Sequence, residues 1–409
     1  MSVDVTKMPK LGFGLMRLPE KDGVIDLEAV CGMVDKYMAA GLNYFDTAYV
    51  YHGGKSEAAA RECIVKRYPR DSFYLATKLP AWQIKTADDR DRIFYEQCGR
   101  AGVDYFDFYL LHSIEEGGNY DTYEKFGCFE WGLQKKREGK IKHFGFSFHG
   151  SPALLEKVLD DHPEVEFVQI QLNYNDWDNP VIASGRLYEI LHGRNIPIVV
   201  MEPVKGGSLA NPVPEVQELF SAARPGASAA SWALRFVASL PGVMTILSGM
   251  SNDAQMTDNI ATFTDLEPLS DSEQAVIERA REIMLGTPTI GCTACRYCCD
   301  GCPMSIQIPD IFSLVNTVRV YKEGWRAENY YNSHIAPVSR AADCIACGQC
   351  ENACPQHIAI IEELKKESEE NKERLEYLQS LNILLARAVR DLKEDIESVG
   401  DEEEIVGIA

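Results

Sequence analysis

At 409 residues the chain is too long for one ordinary domain and is expected to hold two or three. A net charge of −21 argues against nucleic acid as a partner, because no basic stripe is available to displace counterions from phosphates. Hydrophobic residues make up 45%, no run approaches the ~18 apolar residues of a membrane span, and the start MSVDVTKMPKLGFG has no apolar leader core.

From 11 to 248 a short apolar, β-branched or aromatic run alternates with a longer amphipathic stretch. The runs are LGFGLM (11–16), LNYFDT (42–47), FYLATK (73–78), FDFYLLH (106–112), IKHFGFS (141–147), FVQIQLN (167–173), IPIVVME (196–202) and VMTILSG (243–249). Alternation of this kind predicts α/β architecture with a parallel sheet, and eight repeats match a (β/α)8 TIM barrel. An open doubly wound sheet is the competitor, but no G-x-G-x-x-G turn follows the first run.

In such barrels the reactive groups stand where strands end. Those positions hold Asp46, Lys78 and His112, with Tyr51 five residues past Asp46 in the same loop. Together they make a proton-donor site. A phenol titrates near ~10, and a neighbouring ammonium favours its proton loss. Asp46 would hold Lys78 by a charge-assisted bond, and a neutral His112 could orient a carbonyl oxygen. Singly, each has a duller reading as a loop cap or a backbone partner. Four at matching strand ends do not share one.

GLNYFDTAYVYHGGKSE (41–57), FYLATKL (73–79), DFYLLHS (107–113) and GKIKHFGFS (139–147) resemble the aldo/keto reductases, over most of residues 8–265. The resemblance implies a nicotinamide dinucleotide bound without a Rossmann domain, and the catalytic tetrad Asp46, Tyr51, Lys78 and His112, with Tyr51 as general acid/base toward a small-molecule carbonyl or alcohol. It also places Ser147 and Gln169 at the nicotinamide carboxamide, backbone from Gly14 to Met16 on the pyrophosphate side, and Gln255 and Asn259 at the adenosine end. Met201 stands where many relatives stack a tyrosine on the nicotinamide, a softer and less defined cover.

Beyond the last strand, Ser270 and Glu273 form a predicted capping box for a helix to about Met284, and GTPTIG (286–291) reads as a linker. Next come two copies of C-x2-C-x2-C-x3-C-P: Cys292, Cys295, Cys298, Cys302, and Cys344, Cys347, Cys350, Cys354. This run holds cubane clusters in two-cluster bacterial ferredoxins, its fourth cysteine ligating the other cluster, so two [4Fe–4S] clusters with crossed ligation are expected. Zinc is the weaker reading, because two copies each ending in Cys-Pro exceed what one zinc site asks. The segment resembles a dicluster ferredoxin domain, and the whole chain resembles the ferredoxin-fused branch of the reductase family.

The remaining cysteines, Cys31, Cys63, Cys98, Cys128 and Cys299, keep no ligand spacing. Cys31 and Cys63 are expected as buried thiols, and Cys299 as a bystander, in a reducing, cytoplasmic setting where thiols serve metals. The segment 309–340 is expected to form two short helices shielding the clusters. The tail from 362 to about 397 is expected to be helical, with Leu375, Leu378, Asn382, Leu385, Val389, Leu392 and Ile396 at 3-4 spacing. It suits either a coiled coil joining two copies or a helix docked on its own domains, and its wide apolar face favours docking. The expected division is 1–284 barrel, 285–361 cluster domain and 362–409 tail.

A nicotinamide passes two electrons as hydride and each cluster one, so the clusters either serve an external electron-transfer protein or shape the pocket. No flavin motif is visible, although a barrel mouth leaves a flavin open. The other functional class is a barrel retired from catalysis into a redox-sensing module, which the intact tetrad opposes. No Lys or Arg occurs from Phe236 to Glu278, the stretch that would meet a 2′-phosphate, so NAD(H) is favoured over NADP(H). The acidic, aromatic loop 113–130 is expected to border the substrate and leans toward a polar uncharged or cationic one, such as a sugar or polyol.

Overall fold

The computed structural model describes residues 7–115, 119–179, 182–286, 288–321 and 339–369. It divides into two compact units, Met1–Pro288 and Thr289–Ala409.

The first unit is a closed barrel of eight parallel strands: β1 (Leu11–Gly14), β2 (Tyr44–Asp46), β3 (Tyr74–Pro80), β4 (Phe106–Ile114), β5 (Ile141–Phe148), β6 (Val168–Gln171), β7 (Ile198–Met201) and β8 (Val243–Ser248). Each lies within or against one of the eight predicted runs. Parallel strands are buried on both faces, so they read as continuous apolar stretches. The barrel interior is filled by packed side chains, among them Tyr44, Ala76, Phe108, Leu110, Phe167 and Val199. Gly145 on β5 is required there, because a Cβ would stand 2.3 Å from the Phe167 carbonyl oxygen.

Register fixes the site. Gly14 pairs with Asp46, Asp46 with Ala76, Lys78 with Leu110, and Pro80 with His112. Ser147 pairs with Gln169, and Gln171 with Met201. The residues read from strand ends therefore gather at one rim, the C-terminal face. Ser270 and Glu273 close the predicted capping box of helix Asp271–Leu285, each side chain meeting the other's backbone N–H.

Two features depart from expectation. Cys31, on helix Leu27–Ala39, is joined to Cys63, on the turn Arg61–Val65, by a disulfide, so these are not separate buried thiols. The two elements pack with Cα atoms 4.7 Å apart, within disulfide range. Glu20–Lys21 and Val24–Ile25 form a small antiparallel hairpin outside the barrel, turning at Asp22 and Gly23 with φ of 54° and 73°.

In the second unit, helix Ile308–Tyr321 lies between the cysteine runs, and residues 360–369 are helical. The second short helix expected before 340, and the tail beyond 369 with its coiled-coil or docking alternatives, lie outside the described residues. Among the described residues no helix is long and apolar enough to cross a membrane.

The sequence repeat is also a backbone repeat. Cys292 and Cys344 are 52 residues apart, and at the same offset Ala294 and Ala346, Arg296 and Gly348, and Ser305 and His357 all take positive φ. Non-glycine residues seldom do so. Three matched pairs mark two copies of one loop.

Candidate active site and cluster cavities

Asp46, Tyr51, Lys78 and His112 meet at the barrel mouth. The Lys78 ammonium donates to Asp46 Oδ1 at 2.6 Å and to the Thr47 carbonyl at 2.7 Å, and the pair is essentially inaccessible to solvent. Burial pushes Asp46 upward and Lys78 downward, and their mutual charge, next in size, opposes both. Lys78 Nζ stands 5.0 Å from the centre of the Tyr51 ring, and that ring meets His112 edge-on at 6.1 Å. Burial first, then the Lys78 and His149 charges, hold His112 well below the usual histidine value. His112 is thus neutral at pH 7, and its buried Nδ1 has no hydrogen-bond partner among the described residues.

Several supporting groups were not legible from strand ends. Glu57 is fully buried and accepts from Thr77 Oγ1 at 2.7 Å and Gln97 Nε2 at 2.9 Å. Its charge raises Lys78 against the effect of burial. The Tyr123 hydroxyl shares its one proton between the carbonyls of Leu79 and His112, at 2.7 and 2.8 Å, and accepts from Ala81 N, tying the ends of β3 and β4 together. Trp82 is 45% exposed, with its ring 5.2 Å from His112, a flat apolar wall beside the proton-transfer groups. The D-T-A…Y…E spacing singles out Glu57; the others are contacts across the fold.

The residues assigned to the nicotinamide fall in two places. Ser147 Oγ accepts from Ser113 N at 2.8 Å. Beside it, Gln169 Nε2 reaches Met201 Sδ at 3.5 Å, while its Oε1 is buried and unpartnered. An orphaned acceptor among Ser147, Gln169 and Met201 fits a carboxamide N–H, so this rim suits the group. Across β1, Leu15 N donates to the Asp46 carbonyl at 2.8 Å, which sets Gly14 and Met16 beside the tetrad strand. At the far end, Asn259 is buried and donates to Ser248 Oγ at 2.6 Å, tying helix Asp253–Thr264 to the end of β8. Gln255 is exposed and accepts from Ser251 N at 2.7 Å, as part of the loop entering that helix.

The basic residues around this end are engaged: Arg17, whose side chain lies against Gly249 just past β8, pairs with Glu202 at 3.6 Å. Lys205 is buried in an ion pair with Asp176. Lys36, from helix Leu27–Ala39, pairs with Asp253 at 2.5 Å and bonds Thr257 at 2.9 Å. Asp258 accepts from Ser228 at 2.7 Å.

In the second unit the eight cysteines line two cavities. Cys292, Cys295 and Cys298 line one together with Cys354; Cys344, Cys347 and Cys350 line the other together with Cys302. Cys299 packs against the surrounding apolar core and lines neither. That core is built from Ile290, Ile306, Ile308, Ile311, Phe312 and Leu364. No three His, Cys, Asp or Glu side chains among the described residues converge as one metal ion requires. Four thiols spaced around each void instead fit a cage with an iron at every corner.

The model of the aldo/keto reductase family matches residues 10–282, and that of a 4Fe–4S dicluster domain matches residues 291–359. L-galactose dehydrogenase of Arabidopsis thaliana is 25% identical over 294 residues, covering 66% of this chain and 89% of that protein. An aldo-keto reductase of Mycobacterium sp. (strain KMS) is 28% identical over 210 residues, covering 50% of this chain and 67% of that protein. Among solved structures, the holo form of an aldo-keto reductase from Bacillus halodurans superposes with a TM-score of 0.53 at 22% identity, over 66% of this chain and 91% of its own. An aldo-keto reductase from Klebsiella pneumoniae in complex with NADPH superposes with a TM-score of 0.51 at 22% identity, over 66% and 90%. With its eight-stranded barrel matched over 10–282, this chain belongs to the aldo/keto reductase family and carries a 4Fe–4S dicluster domain C-terminal to the barrel.

Proposed function

We propose that the barrel interconverts a small-molecule carbonyl and its alcohol, with Tyr51 as general acid/base and a nicotinamide dinucleotide as hydride carrier. The observation that carries this reading is the buried Lys78–Asp46 pair beneath Tyr51, next to an imidazole that stays neutral. A bound nicotinamide supplies or accepts the hydride. Tyr51 gives its phenolic proton to the substrate oxygen in reduction and takes it back in oxidation. Lys78 favours the phenolate that this leaves, and Asp46 keeps the lysine in place. His112, being neutral, can hydrogen-bond the substrate oxygen without taking its proton. Ser147 and Gln169 would hold the carboxamide of the bound nicotinamide.

The cluster domain is read as holding two [4Fe–4S] clusters. Cys292, Cys295, Cys298 and Cys354 bind one; Cys344, Cys347, Cys350 and Cys302 bind the other. The partition of the two cavities supports this crossing. Each cluster stores one electron, which suits exchange with an electron-transfer protein.

Fluorescence titration with NADH and NADPH at fixed salt tests the nicotinamide reading. NADH is expected to bind at least as tightly as NADPH. The stretch after β8 carries no Lys or Arg as far as Glu278, Lys205 is held by Asp176, and Lys36 is matched by Asp253. A tenfold preference for NADPH, ~1.4 kcal/mol, would mean that a cation at this end, Arg17 or Lys36, leaves its carboxylate for the 2′-phosphate. Failure of both to bind would favour a barrel retired from catalysis.

A further inference from the structure

The two cysteine cavities are copies with one systematic difference. At the 52-residue offset, Ile306 and Ile308 of the second cavity answer to Ile358 and Ile360 of the first, and Leu364 to Phe312. The apolar walls are therefore nearly the same. The polar positions are not: Gln356, Thr293 and Arg296 of the first answer to Met304, Ile345 and Gly348 of the second copy. Every side chain able to donate a hydrogen bond is on the first side, and beyond its cysteines the second cavity is lined only by apolar groups.

Gln356 stands out among the three. Its Nε2 is buried and has no hydrogen-bond partner among the described residues, a costly position for an amide N–H unless something in the cavity accepts from it. Arg296 contributes less than its charge suggests, because its guanidinium is engaged with Asp310 at 2.6 Å and Gln307 at 3.1 Å.

Resting on the two-cluster reading above, we propose that the first cavity is the higher-potential electron site and that Gln356 sets it apart, its amide N–H donating to a sulfur of the cluster held by Cys292, Cys295, Cys298 and Cys354. A reduced cluster carries one more negative charge than an oxidised one, so a donor aimed at its sulfur favours reduction. Met304, the counterpart of Gln356, has no N–H to give. Solvent works the other way: Cys347 of the second cavity is exposed, with Ile345 60% and Met304 38% exposed beside it, and access to water also favours the reduced state. A fixed donor is the stronger effect, because it acts at hydrogen-bond distance on the sulfur itself. Gln356 acts on the cluster directly in this scheme and takes no part in the barrel chemistry.

The test is an anaerobic dithionite titration of the full-length protein followed by EPR, in wild type and Gln356→Leu. Wild type should show two one-electron couples. In Gln356→Leu the higher couple should move down, its oxidised-to-reduced ratio at fixed potential rising about tenfold, ~59 mV for one electron. The lower couple should stay in place. Movement of neither couple, of both equally, or of the lower one alone would overturn the proposal. Only one couple in wild type, with about four irons per chain, would instead overturn the two-cluster reading beneath it. Gln356→Met, which copies the second cavity's own residue, should bring the two couples together and guards against a packing artefact in the Leu variant.

Discussion

Replacing Tyr51 with Phe should abolish carbonyl reduction, a loss on the order of 10³-fold or more in kcat. Folding, nicotinamide binding and the visible spectrum of the clusters should be unchanged. The phenol oxygen is what the reaction needs from this residue; the ring, which packs edge-on to His112 and near Lys78, remains in the Phe variant. Stopped-flow measurement of nicotinamide oxidation with an accepted carbonyl checks the chemistry, and fluorescence titration checks binding. Near-normal turnover in the variant would remove Tyr51 from the mechanism. The pH profile adds a second reading. Because His112 is held well below the usual histidine value, it stays neutral as the pH falls through 6.5, and no acid limb should appear there. A limb near 6.5 that disappears in His112→Gln would show the imidazole titrating normally and the site wetter than its burial implies.

Much of the barrel was legible because its physics leaves marks in one dimension. Parallel strands buried on both faces leave unbroken apolar runs, and all eight were visible. Reactive groups at one rim must follow those runs, so Asp46, Lys78 and His112 could be named from position alone, and register then brought them together. The capping box at Ser270 and Glu273 is a local hydrogen-bond exchange, and local chemistry is written locally. The hairpin at 20–25 also had its signal, Asp22-Gly23, the favoured pair for a turn needing two positive φ values. Its two-residue strands were too short to show any alternation.

What stayed hidden was pairing at a distance. Cys31 and Cys63 are 32 residues apart on elements whose packing no spacing rule encodes. Tyr123 reaches back to Leu79, and Lys36 reaches forward to Asp253, each through a side chain whose neighbours the barrel alone decides. Gln356 is the subtler case. It sits two residues past a ligand cysteine and looks like any loop amide, until the two cysteine runs are aligned by cavity and its counterpart proves to be Met304.

The crossing of the cluster ligands gives the other large expected effect. Cys302 ends the first run in sequence, yet it lines the cavity of Cys344, Cys347 and Cys350; Cys354 ends the second run and lines the cavity of Cys292, Cys295 and Cys298. The chain turns out of its loop at each fourth cysteine. Ser305 N donates to the Cys302 carbonyl at 3.0 Å, and His357 N to the Cys354 carbonyl at 3.0 Å, so both copies make the same exit. A two-residue gap keeps three thiols around one centre, whereas the three-residue gap sends the fourth to the neighbour. Cys302→Ala should therefore damage the cluster of the second run. Its EPR and iron content should match those of Cys344→Ala and differ from those of Cys292→Ala, while Cys354→Ala should pair with Cys292→Ala. Wild type purified without oxygen should carry about eight irons per chain, and each variant should lose up to about half. If Cys302→Ala instead matched Cys292→Ala, each run would hold its own cluster and the crossing would be wrong. Stoichiometric zinc in the wild type would remove the clusters altogether, and with them any one-electron role for the domain.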